Sequence, residues 1–259
     1  MKPTQESKQK RSIKLGDIFR LGDHIIACGD ARDKDFVAKV IGTLKVDMIC
    51  CDIPYGISVV QSKAGFQQSL SKPKDIANDQ FQSDEEYKKF NYDWLMAIRP
   101  HLSPKNAVYV FNADKMVFAL REGLISAGYK FSQLLIWVKS HAVIGRLDYL
   151  PQHEIICYGW FGTHKFYKET DRSVLFCPKP SKSKLHPTMK PISLLRRLIL
   201  NSTKMNDVIY DGFLGSGSLT IAAEQTGRRS IGIDIDPEYC ETAIARWERL
   251  TNKEAELIF

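Results

Sequence analysis

The sequence predicts a doubly wound α/β domain with a mostly parallel sheet, and three observations carry that reading. Short apolar runs suited to buried strands alternate with stretches of helical periodicity along nearly the whole chain. The stretch from Asp207 to Asp236 reads as strand, glycine turn, helix and strand, with an acidic side chain at the second strand's end. The runs 134–139 and 154–160 leave no room for a crossover helix between them, so they predict an antiparallel hairpin near the sheet edge.

Taken in order, residues 1–12 are basic, lack apolar periodicity and predict a flexible arm ahead of a single domain over 13–259. His24 to Gly29 is a compact apolar strand that delivers Asp30, and Val46 to Cys51 is a second that runs into Asp52-Ile53-Pro54-Tyr55. Residues 58–84 are rich in Ser, Gln, Lys and Asn without a sustained period, and predict a long loop able to close over a substrate. A helix follows over 85–98, with Tyr87, Phe90, Tyr92, Trp94, Leu95 and Ile98 on a broad apolar face. Then come a strand at 107–111, a helix over 116–127 stopped by Gly128, and the two hairpin strands. Pro191 opens a helix over 192–201, and 208–210 and 230–235 complete a count of seven strands. Asp236-Pro237 caps a last helix whose Cys240, Ala243, Ile244, Trp247 and Leu250 face inward.

Composition narrows the classes. A hydrophobic fraction of 44% suits a globular core, and no apolar run reaches the length that spans a bilayer. The polar, basic amino terminus reads as neither signal nor anchor, so the expected location is cytoplasmic with no membrane partner. Six cysteines show no CxxC pair and read as buried reduced thiols, and no metal site is expected. His153-Glu154 does not change this, because adjacent strand residues point to opposite faces. The net charge of +7 permits a polyanionic partner.

The glycine turn is the first functional signal. Gly212, Gly215 and Gly217 let the backbone turn sharply beside Asp211, and Asp234 is placed to take the hydroxyls of a ribose. A phosphate-binding P-loop would need Lys where Ser218 stands, and a dinucleotide fingerprint a third glycine where Thr220 stands. What remains is a cofactor with a ribose and no pyrophosphate. S-adenosylmethionine fits, and Asp211-Gly212-Phe213-Leu214-Gly215-Ser216-Gly217-Ser218 resembles the cofactor-binding motif of DNA amino-methyltransferases.

Other motifs extend the resemblance over about residues 15 to 255. Asp52-Ile53-Pro54-Tyr55, a plain turn if taken alone, is similar to that family's catalytic Asp-Pro-Pro-Tyr, with Ile53 in place of the first proline. His186-Pro187-Thr188-Met189-Lys190-Pro191 looks like the motif that holds the methionine end of the cofactor, and Gly29-Asp30 and Gly232-Ile233-Asp234 fall in matching order. The order, catalytic motif before cofactor motif, resembles the permuted β group, and within it phage-type modification methylases. The resemblance implies a Rossmann-like, seven-stranded sheet of the S-adenosylmethionine-dependent methyltransferase type. It implies catalytic roles for Asp52, Ile53, Pro54 and Tyr55, and cofactor contacts for Asp30, His186, Thr188, Lys190, Asp211, Phe213, Gly215, Ser216, Gly217, Asp234 and Ile235. It further implies methylation of adenine N6 in double-stranded DNA after base flipping, with Tyr55 stacking on the flipped base. Cytosine N4 is the alternative, because both amines present the same two hydrogens; RNA or protein-glutamine methylation and a non-enzymatic DNA-binding module are the more distant ones. A homodimer, a cognate restriction enzyme and a nucleoid-associated place in a prokaryotic or phage setting are compatible with it.

Phosphate contacts are expected from the loops at 58–84 and 161–185, the second holding Lys165, Lys168, Arg172, Lys179, Lys182 and Lys184, with Lys139 and Arg146 adding charge.

Overall fold

The computed structural model describes residues 11–56, 82–142, 148–168, 170–178 and 189–259. Its sheet is built on β2 (His24–Cys28), β3 (Val46–Asp52), β4 (Leu102–Asn112), β5 (Lys130–Val138), β6 (His153–Trp160), β9 (Val208–Asp211) and β10 (Arg229–Asp234). These seven lie in the order β2-β10-β9-β3-β4-β6-β5. The first five are parallel, while β6 runs antiparallel to both β4 and β5, which is the hairpin the sequence predicts. Four short strands raise the described total to eleven. β1 (Ile18–Leu21) and β11 (Glu256–Leu257) extend the β2 edge, β8 (Val174–Phe176) extends the β5 edge, and β7 (Thr163–His164) pairs with β4. Two to four residues carry too little periodicity to be seen in sequence.

Among the described residues, three α-helices cover each face. On one, α1 (Lys34–Ile41), α2 (Asp84–Ile98) and α3 (Val117–Ser126) pack Val37, Trp94 and Leu120 against Ile49, Cys51 and Val110. On the other, α4 (Ile192–Ser202), α5 (Ser218–Thr226) and α6 (Pro237–Thr251) meet the alternate register: Met48, Cys50 and Tyr109 under α4 and α5, Ile26 and Cys28 under α6. The period of two in β3 therefore feeds two cores, which is why Val46 to Cys51 reads as a continuous apolar run. The helix starts follow local chemistry. Asp33 accepts from the Asp35 and Phe36 N–H groups, Ser83 and Glu86 form a reciprocal capping box worth about 1 kcal/mol, and Asp236 with Pro237 starts α6. All six cysteines are buried and free.

The chain leaves β3 toward β4 through α2 and leaves β9 toward β10 through α5, on opposite faces, although β3 and β9 are neighbours. Such a reversal opens a crevice at the carboxyl ends of the two strands. Asp52 and Asp211 are the last residues of those strands.

Candidate active site

Four adjacent parallel strands, β2, β10, β9 and β3, end in or next to Asp30, Asp234, Asp211 and Asp52, so the four acids line one edge of the sheet in that order. Each is held differently. The Arg32 guanidinium grips Asp30 through Nε at 3.0 and 3.1 Å and a terminal nitrogen at 2.7 Å. Asp234 accepts the Gly215 N–H at 2.7 Å on one oxygen and the Asp236 N–H at 2.9 Å on the other, so it ties the glycine turn to the end of β10. Asp211 accepts from the Phe213 N–H at 3.1 Å, and burial pushes its carboxyl up to about 8. Ile235 follows on the same rim, half-buried, its carbonyl 4.0 Å from Cys28 Sγ.

The glycine turn has two sides. Gly217 has φ +74°, and a Cβ there would lie 2.6 Å from Ala243 Cβ on α6, so this glycine serves the packing of the turn on that helix. Gly215 has φ +51°, and among the described residues a Cβ there would meet only the Phe213 carbonyl, at 3.9 Å, so on these residues its side is open. Phe213 packs 5.6 Å from both Phe90 and Trp94. Behind the turn, Arg246 of α6 donates to the Ser216 carbonyl and to its Oγ at 2.9 Å.

Asp52 stands at the centre of a polar cluster. Lys190 Nζ is 2.6 Å from Asp52 Oδ2 and 3.1 Å from Glu154 Oε2, and the Tyr55 hydroxyl is 3.0 Å from Asp52 Oδ1 and 3.2 Å from the same Glu154 oxygen. Lys139 Nζ closes the cluster at 2.8 Å from Glu154 Oε1. Burial pushes Asp52 up against the pull of Lys190, whereas Lys190 and Lys139 overcome burial and hold Glu154 at about 2. Burial keeps Tyr55 protonated and therefore a donor. The turn beyond Asp52 is pinned from α2: Asn112 donates to the Tyr87 hydroxyl at 2.7 Å, and that hydroxyl donates to the Pro54 carbonyl at 2.9 Å. Ile53 is only 2% exposed and anchors in the core. The Gly56 carbonyl takes the Gln82 N–H at 3.0 Å, joining the two ends of the segment at 57–81.

Several expectations change. Lys139, expected at a phosphate, is 6% exposed and committed to Glu154. Lys190, expected at the cofactor's carboxylate, pairs with Asp52 and Glu154. Lys165 lies between Asp47 at 2.9 Å and Asp207 at 2.8 Å, at the beginnings of β3 and β9 and so at the edge opposite Asp52. The reason is the antiparallel β6, which returns the chain to that edge; Lys168 and Arg172 follow there, before β8 carries the chain back toward the crevice. Only the part of 161–185 beyond Cys177 leaves from the catalytic edge. Arg146, Lys179, Lys182, Lys184, His186 and Thr188 lie outside the described residues, as does most of the loop at 58–84.

Sequence reasoning missed Glu154, Arg32, Arg246 and the Asn112–Tyr87 pair. Glu154 did carry a signal: it continues the register of Ile156 and Tyr158, so a carboxylate was being placed on an inward face. Among the described residues no group of three or more His, Cys, Asp or Glu could hold a metal, and no helix is long and apolar enough to cross a membrane.

Known proteins share this fold. The solved M1.HpyAVI–SAM complex superposes with a TM-score of 0.62 at 24% identity, over 85% of this chain and 98% of that one. The PvuII DNA methyltransferase, described as cytosine-N4-specific, gives 0.70 at 14% identity, over 92% and 94%. Among sequences, the type II methyltransferase M2.LlaDCHI of Lactococcus lactis subsp. cremoris is 29% identical over 220 residues, 78% of this chain and 81% of that protein. The family model for DNA methylases of the N6/N4 methyltransferase type matches residues 46–245, from the start of β3, through the acid cluster and the glycine turn, into α6, and the chain therefore belongs to the DNA methylase family.

Proposed function

We propose that this DNA methylase transfers a methyl group from S-adenosylmethionine to the exocyclic N6 of adenine in double-stranded DNA. The observation that carries the reading is the placement of Asp52 at the topological reversal, one strand from Asp211 and the glycine turn. The open side of Gly215 and the acid row at the strand ends fit a cofactor with a ribose and a positive centre. Asp211, Phe213, Gly215, Ser216, Asp234 and Ile235, with Asp30 at the rim, would hold it; Gly217 supports the turn from behind, and His186 and Thr188 belong to the same proposed set. When bound, S-adenosylmethionine supplies a methyl group on a sulfonium, ready for in-line displacement.

The chain's own part is to prepare the acceptor. An exocyclic amine is a poor nucleophile because its lone pair is delocalised into the ring. The Asp52 carboxylate and the Ile53 carbonyl accept its two hydrogens and draw the lone pair out of conjugation, an electrostatic aid that grows as positive charge develops on nitrogen. Once the new N–C bond has formed, the nitrogen carries one proton too many, and Asp52, pushed up by burial, is positioned to take it. Pro54 stiffens the turn, and the Asn112–Tyr87–Pro54 chain supplies from β4 and α2 the rigidity that a second proline would have given. Tyr55 contributes its ring to the base pocket while its hydroxyl stays with the acid cluster.

Phosphate contacts are assigned to the segments that leave the catalytic edge, with Arg146, Lys182 and Lys184 as their cations. A homodimer, a cognate restriction enzyme and a nucleoid-associated, cytoplasmic setting are in keeping with the type II relative. The test is transfer of labelled methyl groups to duplex DNA, followed by nucleoside mass spectrometry. N6-methyladenine supports the reading, N4-methylcytosine replaces it with the alternative amine, and label in RNA or protein alone overturns it.

A further inference from the structure

The Tyr55 hydroxyl and the Lys190 ammonium each lie between the same two carboxylates. Tyr55 reaches Asp52 at 3.0 Å and Glu154 at 3.2 Å; Lys190 reaches Asp52 at 2.6 Å and Glu154 at 3.1 Å. A phenol has a single hydrogen, so its two bonds are alternatives. The ammonium at 2.6 Å draws electron density from the oxygen pair that the target amine needs. We propose that Glu154 is a positioning residue for methyl transfer, the acceptor toward which Lys190 and Tyr55 turn when the amine hydrogen takes its place on Asp52.

This rests on the proposed role of Asp52 and deepens it. The cluster is built for such an exchange. Two carboxylates and two ammonium groups leave it without net charge, and moving Lys190 from one acid to the other keeps that balance while freeing the Asp52 oxygens for the amine. Lys139, itself 8% exposed at the side chain, fixes the far oxygen of Glu154 at 2.8 Å, so the receiving carboxylate is already oriented. The shift needed at Lys190 is small, because both acids are within hydrogen-bond reach of one nitrogen. Among the described residues, the groups that bear on the charge of Asp52 are Lys190, Glu154, Tyr55, the Asp211 carboxyl on β9 and the Cys50 thiol on its own strand.

In a Glu154→Gln variant, Lys190 keeps Asp52 as its one carboxylate among the described residues, and Asp52 loses a like-charged neighbour. Both changes lower the affinity of Asp52 for a proton, so the acid limb of the kcat profile moves to lower pH, by about one unit. The plateau falls about tenfold, the rate equivalent of one unit of basicity at the group that draws the amine hydrogen. Lys139→Met combined with Glu154→Gln removes the ammonium that the neutral amide would leave unpaired, which keeps the charge of the cluster balanced.

The experiment measures kcat against pH at saturating duplex DNA and S-adenosylmethionine for wild type, Glu154→Gln and the double variant, with cofactor affinity by calorimetry. The acid limb is expected to move down in both variants with cofactor affinity unchanged. A lower plateau with an unmoved acid limb would show a structural role only and overturn the proposal, as would a wild-type plateau. An active Asp52→Ala variant would instead remove the reading beneath it, so the two failures are distinguishable.

Discussion

Replacing Gly217 with alanine separates the two sides of the glycine turn. The new Cβ would lie 2.6 Å from Ala243 Cβ and 3.1 Å from its Cα, distances at which backbone or helix must move, and φ is +74°. Left-handed strain costs about 1–2 kcal/mol. Overpacking against α6 adds about 1–3 kcal/mol. A total of about 3 kcal/mol corresponds to a fall in Tm of roughly 6–12 °C for a chain of this size. Gly215→Ala has the strain, at φ +51°, but meets only a carbonyl at 3.9 Å. Its Tm should fall by about half as much, while its methyl group stands on the open side and weakens S-adenosylmethionine. Thermal melts of both variants, with cofactor titrated by calorimetry at a temperature where each is folded, provide the comparison. Ala243→Gly in the Gly217→Ala background should recover the steric part of the loss, less about 1 kcal/mol for a glycine inside a helix. A Gly217→Ala protein with wild-type Tm and lost cofactor affinity would refute the assignment of that glycine to packing.

Other consequences follow from the same contacts. Asp234→Ala leaves the Gly215 and Asp236 N–H groups without a charged acceptor, each such bond being worth about 1.5–3 kcal/mol, so cofactor affinity should fall at least about tenfold with DNA affinity less affected; calorimetry showing unchanged affinity would remove Asp234 from the pocket. Lys165→Met leaves the Asp47 and Asp207 carboxylates without their shared ammonium and should cost about 3 kcal/mol of stability while leaving the salt dependence of DNA binding unaltered; a slope flattened by about 0.9 would place Lys165 on a phosphate after all. His24 is 2% exposed, accepts the Ser230 N–H at 3.0 Å and faces Glu224 at 2.9 Å, and burial lowers its pKa from 6.5. The unfolded chain then binds the proton more readily, so His24 contributes stability above about pH 6.5 that is lost as pH falls toward the folded value. Wild type should lose more Tm between about pH 7 and 5 than His24→Gln, and equal losses would contradict this.

The parts legible in the sequence are those in which one residue type has one physical reason to stand where it does. Val46 to Cys51 had to be a strand buried on both faces, and Asp236-Pro237 had to start a helix. Asp52, Asp211 and Asp234 could be placed at strand ends because a strand's end is visible where an apolar run stops. The lysines were not legible in the same way. A lysine in a polar segment reads as a surface charge whether it meets water, phosphate or a carboxylate distant in sequence, and Lys165 finds Asp47 across 118 residues. The pairing of Lys139 and Lys190 was hidden for the same reason, since their partner Glu154 belongs to a strand whose neighbours only the sheet order decides. The division of labour between Gly215 and Gly217 was equally hidden, because both glycines satisfy the same turn and only the position of Ala243 tells them apart.

The central claim is that Asp52 acts on the target amine and not on the fold or the cofactor. Asp52→Ala leaves Lys190 paired with Glu154 at 3.1 Å, so the protein should fold and bind S-adenosylmethionine as wild type does. Single-turnover methyl transfer to duplex DNA is then the measurement. A rate reduced at least about a hundredfold with cofactor affinity intact is the expected result. Transfer near the wild-type rate would contradict the account.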